Sequence, residues 1–286
     1  MRLPKSRQSI LALKSWLFTP ATKSDRFGRA ADAYADALIV DLEDAVAPSA
    51  KIEARETALG YLAVMPPDHP PCALRINSPD TRFGFDDLQA LLSSPADPDY
   101  LILPKCRSSS LIGLVGNLLR ETGKTAQIIA LIESAKGVSA LDEIVRGDTK
   151  PAALLFGAAD MAADLGAETA WETLLWVRSR VVQSAALTGI ALLDSPYFNI
   201  GDTEGLKHET RASASLGFHG KCAIHPAQVA AINDVLTPSE QQIAEARQIL
   251  VVNQNGVGSV DHQMVDEAVA RKARLVLERA GIAVEK

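Results

Sequence analysis

Eight short apolar runs punctuate the chain, at Ser15–Ala21, Ala37–Asp44, Cys72–Asn77, Tyr100–Cys106, Gln127–Glu133, Ala153–Asp160, Ile190–Tyr197 and Gly217–His225. Their starts lie 22 to 37 residues apart, which leaves room for one helix in each gap. Strands alternating with helices at that spacing specify a parallel sheet, and eight such units close a (β/α)8 TIM barrel. Nearly every run ends in a charged residue, and in that architecture the carboxyl ends of the strands carry the active site. A doubly wound open sheet is the competing arrangement, with ligands at a switch in strand order. Neither GxxxxGK[ST] nor a GxGxxG after the first run occurs, which counts against nucleotide binding.

Helical patterns fill the gaps at Asp25–Ala35, Ser49–Leu62, Phe85–Leu92, Ser139–Val145, Glu172–Thr188 and Asp202–Leu216. Beyond the eighth unit, Thr237-Pro238-Ser239-Glu240 reads as a capping box with proline at the first helical position. It opens a helix to about Val251, followed by a turn over 253–258 and an amphipathic helix from Asp266 to Ala280, stopped by Gly281. The expected organisation is a barrel domain at residues 1–236 and a C-terminal helical extension at 237–286, acting as a lid or as an oligomer contact.

A formal net charge of −6 argues against a nucleic-acid or acidic-membrane partner. No apolar run approaches the roughly 18 residues that cross a bilayer, and residues 1–15 lack the apolar core of a secretory signal. Cys72, Cys106 and Cys222 form no CxxC and read as buried reduced thiols, so a cytoplasmic location is expected. The five histidines form neither HExxH nor HxH, which argues against zinc.

Because side chains alternate along a strand, Ile129, Leu131 and Glu133 share one face, and Leu154, Phe156, Ala158 and Asp160 share another if their strand stays regular. Glu133 and Asp160 would then converge at the barrel mouth, where two carboxylates repel unless a cation lies between them. An all-oxygen pair suits Mg2+, with Mn2+ as the alternative. The plainer reading of each acid is a helix cap or a solvated loop charge. Asp41, Glu43 and Asp44 add three acids at the end of the second run, opposite Arg75 and Lys105. Arg75 offers a planar fork to a substrate oxygen, or a structural ion pair to Glu43 or Asp44. Gly157, Ala158 and Ala159 lead into a helix start whose N–H groups suit a carboxylate. Asp194 precedes Ser195, and Pro196 and Tyr197 are candidates for the pocket wall. Lys221 lies in the last run with His225, which reads as a buried hydrogen-bonding residue rather than a base.

Six segments in order, Ser15–Pro20, Val40–Val46, Leu74–Asn77, Leu131–Gly137, Phe156–Asp160 with Leu165-Gly166, and Gly217–Gln228, are similar to the β subunit of citrate lyase and its relatives in the HpcH/HpaI aldolase family. The resemblance implies a (β/α)8 barrel with Mg2+ on Glu133 and Asp160. It places Arg75 at the reacting oxygen and makes the substrate a thioester of coenzyme A or of an acyl carrier. It further implies a homotrimer or hexamer and a C-terminal lid whose acid enters a neighbouring subunit's site. The segment Asp261-His262-Gln263-Met264-Val265-Asp266 resembles that lid and makes Asp266 the candidate acid, although a helix N-cap is an equal role for it. Departures are His262, where the family often has glycine, which bears on lid geometry, and Lys14, where many relatives have arginine, which bears on contacts near the mouth. The activity implied is cleavage or formation of malyl-CoA, citramalyl-CoA or citryl-CoA, giving acetyl-CoA or a homologue and a 2-oxo acid. Alternatives are a citrate lyase β subunit working on citryl-acyl-carrier protein with α and carrier subunits, a malyl-CoA thioesterase, and a non-catalytic assembly subunit.

Overall fold

The computed structural model describes residues 9–28, 32–65, 69–253, 258–260 and 263–282. Strands β1 (Ser15–Pro20), β2 (Ala37–Asp41), β3 (Cys72–Arg75), β4 (Tyr100–Leu103), β5 (Gln127–Ile132), β6 (Ala153–Phe156), β7 (Ala191–Asp194) and β8 (Gly220–Ala223) pair in parallel in sequence order. The sheet closes where β8 pairs with β1, Ser15 with Lys221 and Trp16 with Cys222. The fold is therefore the closed barrel and not the open sheet.

Alternation sorts each strand into two faces. Trp16, Ile39, Ala73, Ile102, Ile129, Leu131, Leu155, Leu193 and Cys222 fill the lumen, while Leu38, Val40, Leu74, Ile132, Leu154 and Phe156 pack outward under the helices. Ile39, Ile102, Ile129, Leu131 and Leu155 are closed to solvent, each stabilising the fold by about 1.5–3 kcal/mol. At the base, Trp16 meets the Tyr100 ring edge-on at 5.3 Å and donates its indole N–H to the Leu13 carbonyl. The lumen is a packed core up to its last layer, where it turns polar.

The helices that follow the barrel strands are α1 (Lys51–Val64), α2 (Arg82–Ser93), α3 (Ser109–Glu121), α4 (Ala135–Ser139), α5 (Leu141–Arg146), α6 (Ala158–Leu165), α7 (Trp171–Ala186), α8 (Thr203–Leu216) and α9 (Ala227–Leu236). Thr81, Ser108, Ser134 and Asp202 cap α2, α3, α4 and α8 through side-chain oxygens. The single helix expected over Ser139–Val145 is two, broken at Ala140. In the first gap the described residues form a 3-10 turn at Ser24–Arg26, and 29–31 of the helix expected over Asp25–Ala35 lie outside them.

The extension comprises α10 (Glu240–Asn253), a hairpin of β9 (Gly258–Val260) and β10 (Gln263–Val265), and α11 (Glu267–Arg279). Its helices share a small apolar cluster of Ala246, Ala273 and Leu277. The cap of α10 is two residues later than expected: Ser239 Oγ accepts from the Gln242 N–H, and Gln242 Oε1 accepts from the Ser239 N–H. Ser239 and Gln242 are thus the true capping box. The C-terminal end of α11 is anchored where Arg279 donates to the Phe218 carbonyl, just before β8. No helix among the described residues is long and apolar enough to cross a membrane.

Candidate active site

A cavity of about 410 Å3 opens at the carboxyl ends of the strands, lined by Phe18, Asp41, Asp44, Arg75, Glu133, Gly157, Ala158, Ala159, Asp160, Pro196 and Phe198 among others. Parity explains most of its charged lining. Asp41 follows Ala37 and Ile39 on the inward face of β2, and Arg75 follows Ala73 on that of β3. Glu133 continues the inward row of Ile129 and Leu131, as the alternation predicts.

Asp41 is the hub that sequence reading missed. Both of its oxygens accept from Arg75, Oδ1 from Nε and Oδ2 from Nη2, each at 2.7 Å. The same oxygens accept the N–H groups of Glu43 and Ala45. Asp41 and Arg75 are paired in the β2–β3 register, a juxtaposition that the inward parity of both strands could have revealed. The Arg75 guanidinium also sits over the Phe18 ring at 4.8 Å, and Nη1 lies 3.1 Å from Glu43 Oε2 and 3.6 Å from Asp44 Oδ2. Glu43 and Asp44 therefore surround Arg75, and burial pushes the Glu43 carboxyl up from its ordinary value. Lys51 Nζ donates to the carbonyls of Leu42 and Glu43, and Asn77 also donates to Leu42, which fixes the turn carrying these acids.

Glu133 is almost fully buried, at 3% exposure. Its Oε1 accepts the Lys105 N–H at 2.8 Å, while Lys105 Nζ reaches Glu43 Oε1 at 3.0 Å. Lys105 achieves this double aim at a φ of +52°, a left-handed conformation that costs a non-glycine residue about 1–2 kcal/mol. Burial, reinforced by the charges of Glu43 and Asp160, holds the Glu133 carboxyl well above the usual range.

Asp160 reaches the cavity by a different route from the one expected. β6 stops at Phe156 with Leu154 and Phe156 facing outward, and Asp160 stands in the first turn of α6. The helix start, not strand alternation, turns it to the mouth. Gly157 precedes α6 without any side-chain cap, and Ala158 and Ala159 at the helix start line the cavity. A Cβ at Gly157 would stand 2.6 Å from Glu133 Cβ and 2.7 Å from Oε2, so only glycine lets this wall approach Glu133.

The donor set fits a hard divalent cation. Acids outnumber Arg75 and Lys105 at the mouth, and neither Glu133 Oε2 nor Asp160 takes a hydrogen bond among the described residues. No cluster of three or more His, Cys, Asp or Glu among those residues is placed to hold a metal. A two-carboxylate site of this kind leaves most coordination positions to water and substrate, as Mg2+ prefers.

Other expectations need correction or relocation. Tyr197 does not line this cavity: its hydroxyl donates to Asp202, and it borders a second cavity behind Pro196. His225 is exposed, not buried, and its ring nitrogen accepts the Ala227 N–H at the start of α9. Lys14 lies at the base of β1 beside Asp36, far from the mouth. The three cysteines are free and buried, as expected. Asp266 caps α11, accepting the Val269 N–H, and lines no part of its own chain's cavity. Asp261 and His262 of the lid-like segment lie outside the described residues.

Residues 14–226 match the family model of HpcH/HpaI aldolase/citrate lyase. The chain belongs to that family. Residues 171–283 also match a model of carbon–carbon bond lyases of the TIM-barrel fold, so the molecule is an enzyme of the carbon–carbon lyase class. Its relatives include the L-malyl-CoA/beta-methylmalyl-CoA lyase of Cereibacter sphaeroides, 31% identical over 92% of this chain and 93% of that protein. Among solved structures, CitE of Mycobacterium tuberculosis in complex with magnesium, acetoacetate and coenzyme A superposes with a TM-score of 0.78. It is 32% identical and covers 94% of this chain and 98% of its own. RipC of Yersinia pestis superposes with a TM-score of 0.72 at 41% identity, covering 82% of this HpcH/HpaI-family chain and 99% of its own.

Proposed function

We propose that this enzyme is a Mg2+-dependent lyase that cleaves, or forms, a 3-hydroxyacyl-CoA thioester such as malyl-CoA, citramalyl-CoA or citryl-CoA, giving acetyl-CoA or a homologue and a 2-oxo acid. The observation that carries the reading is the convergence of Glu133 and Asp160, both without hydrogen-bond donors on their cavity side, in one cavity with a pinned Arg75. The malyl-CoA lyase relative and the magnesium and coenzyme A bound to CitE support it.

A divalent cation on Glu133 and Asp160 would supply Lewis acidity to the substrate's hydroxyl or carbonyl oxygen. The first N–H groups of α6 would hold the substrate carboxylate, aided by the helix dipole. Arg75 keeps its charge in the cavity because Asp41 fixes its fork, with Glu43 and Asp44 completing the orientation. It faces the oxygen on which negative charge grows as the carbon–carbon bond breaks. Asp266, offered by a second copy, would protonate the thioester enolate carbon, with its Oδ1 still capping α11. Residues 237–286 thus act as the lid-bearing extension of a homotrimer or hexamer, and the free buried thiols support a cytoplasmic location.

Purified enzyme with Mg2+ and malyl-CoA or citramalyl-CoA is expected to release a 2-oxo acid that phenylhydrazine traps. Turnover only with a loaded acyl-carrier protein would instead indicate a citrate lyase β subunit, and free CoA without 2-oxo acid a thioesterase. Inertness toward all of these would contradict the proposal.

Three further outcomes follow from the geometry. Asp266→Asn keeps a good helix cap, so the melting temperature and Mg2+ affinity should hold while kcat falls by about 10²-fold or more. Unchanged kcat would leave Asp266 as a cap alone. Gly157→Ala should displace Glu133 and lower turnover by the order of 10²-fold, and full activity would show that this approach is unnecessary. The pH dependence is also fixed in sign. An acid whose folded-state pKa is raised weakens the metal-free fold as pH climbs from its ordinary value through the raised one. Cation binding must displace that proton. The rise in melting temperature on adding Mg2+ should therefore grow with pH across this window, and a flat response would argue against Glu133 as a ligand.

A further inference from the structure

Beneath one wall of the cavity lies a buried charge network that the steps above do not use. Asp194, at the end of β7, is fully closed to solvent, as is Lys221 of β8, and Arg178 of α7 is 2% exposed. Arg178 Nε donates to Asp194 Oδ1 at 3.0 Å, and Lys221 Nζ donates to Asp194 Oδ2 at 2.7 Å and to Glu209 Oε1 of α8 at 2.8 Å. Two cations balance two carboxylates, and these contacts hold the Asp194 carboxyl below its ordinary value despite burial.

The network reaches both sides of the cavity. Toward β7, Lys221 Nζ donates to the Ser195 carbonyl at 2.9 Å and Arg178 Nη2 to Ser195 Oγ at 3.3 Å. Toward β6, the Arg178 guanidinium lies 4.8 Å from the Phe156 ring and 4.7 Å from that of Trp171. Phe156 leads directly into Gly157 and the helix start that carries Asp160.

The wall after Asp194 needs such an anchor. Pro196 and Phe198 line both the 410 Å3 cavity and a second cavity of about 400 Å3, as do Ala158 and Ala159 of the β6 wall. A segment that borders two cavities has fewer neighbours than an ordinary interior one, and of 196–198 only Tyr197 packs against the core. Polar contacts add to that packing: those to Ser195 from Arg178 and Lys221, and those from Gln228 to the Tyr197 carbonyl and from Tyr197 to Asp202 farther out.

We infer that Arg178 is a positioning residue, which ties the Ser195–Phe198 wall to the Phe156–Asp160 wall and so sets the width of the cavity in which the thioester reacts. It touches no reacting atom; it acts through Ser195, Asp194 and Phe156. Lysine cannot replace it, because an ammonium has neither the fork that engages Asp194 and Ser195 together nor the flat face that stacks on Phe156.

The inference rests on reading the 410 Å3 cavity as the active site, and two measurements separate them. The first is amide hydrogen exchange of the whole enzyme. Arg178→Lys should speed exchange in residues 156–160 and 195–199 together, by tenfold or more, with little change in α1. Slowed or unchanged exchange in either segment, or a uniform increase everywhere, would overturn the inference whether or not the enzyme is a lyase. The second is kinetic. Arg178→Lys should raise KM for the thioester and lower kcat, by the order of 10²-fold in kcat/KM. Val115→Ala, a buried change in α3 away from the cavity, should leave kcat and KM unchanged below its melting temperature. Equal kinetics for Arg178→Lys and wild type would also overturn it, while absence of lyase activity in the wild type would refute only the proposed reaction.

Discussion

Replacing Glu133 with glutamine is expected to lower Mg2+-dependent turnover by about 10³-fold or more, the several kcal/mol that Lewis-acid catalysis contributes. The substitution is nearly isosteric, and the glutamine oxygen can still accept the Lys105 N–H that Glu133 Oε1 accepts now. What it removes is a charge that burial and two neighbouring acids already disfavour. The metal-free protein should therefore melt at the same temperature or higher, since an unpaired buried charge costs the fold free energy. Addition of Mg2+ should no longer raise the melting temperature. Loss of activity with intact folding and no metal response is the signature of a ligand. A variant that unfolds, or one that keeps wild-type turnover, would remove Glu133 from that role.

Arg75→Lys should lower kcat by about 10²- to 10³-fold, comparable to removing one donor from an oxyanion site. Lysine preserves the charge but cannot bond both oxygens of Asp41 as Nε and Nη2 do. Loss of that grip lets the cation leave the place where negative charge develops. Asp41→Asn sharpens the test. It keeps an acceptor for the fork while removing the charge that makes the pair strong, so its kcat should fall less than that of Arg75→Lys. If both variants lost only stability and kept kcat, the pair would be a structural ion bridge, the second role open to Arg75 from sequence alone. Arg75→Met is less useful, because it leaves buried Asp41 without its cation and breaking such a pair costs about 3–5 kcal/mol.

The barrel was legible in the chain because eight apolar runs, each separated by room for one helix, match the unit count of a closed barrel, although an open doubly wound sheet competes until the β8–β1 pairing decides between them. Glu133 was legible because its strand keeps regular alternation to Ile132, one residue before it. Asp160 lines the cavity by a route that strand alternation does not describe, since β6 ends four residues earlier and a helix turn, with its own period, takes over. Asp41 was passed over because three acids in five residues look alike until strand register assigns each a direction. The Arg178–Asp194–Lys221 network draws its members from a helix and two strand ends, and sequence spacing does not report which distant charges meet in the interior. His225 failed for a related reason: β8 ends at Ala223, and the following residues turn outward to begin α9. Lys14 is at the amino end of its strand, so strand direction alone places it away from the mouth. Chain reversals, which local propensity describes poorly, account for the placing of Asp160 and His225.

Whether one cation bridges Glu133 and Asp160 is tested most directly by a crystal structure of the enzyme grown with Mg2+ and a 2-oxo acid such as pyruvate. The ion should bond to oxygens of both Glu133 and Asp160 at about 2.1 Å, with water and the 2-oxo acid completing the octahedron and Arg75 facing the ligand's oxygen. An ion bound elsewhere, or a 2-oxo acid held in the cavity with no metal on those two carboxylates, would contradict the proposed chemistry.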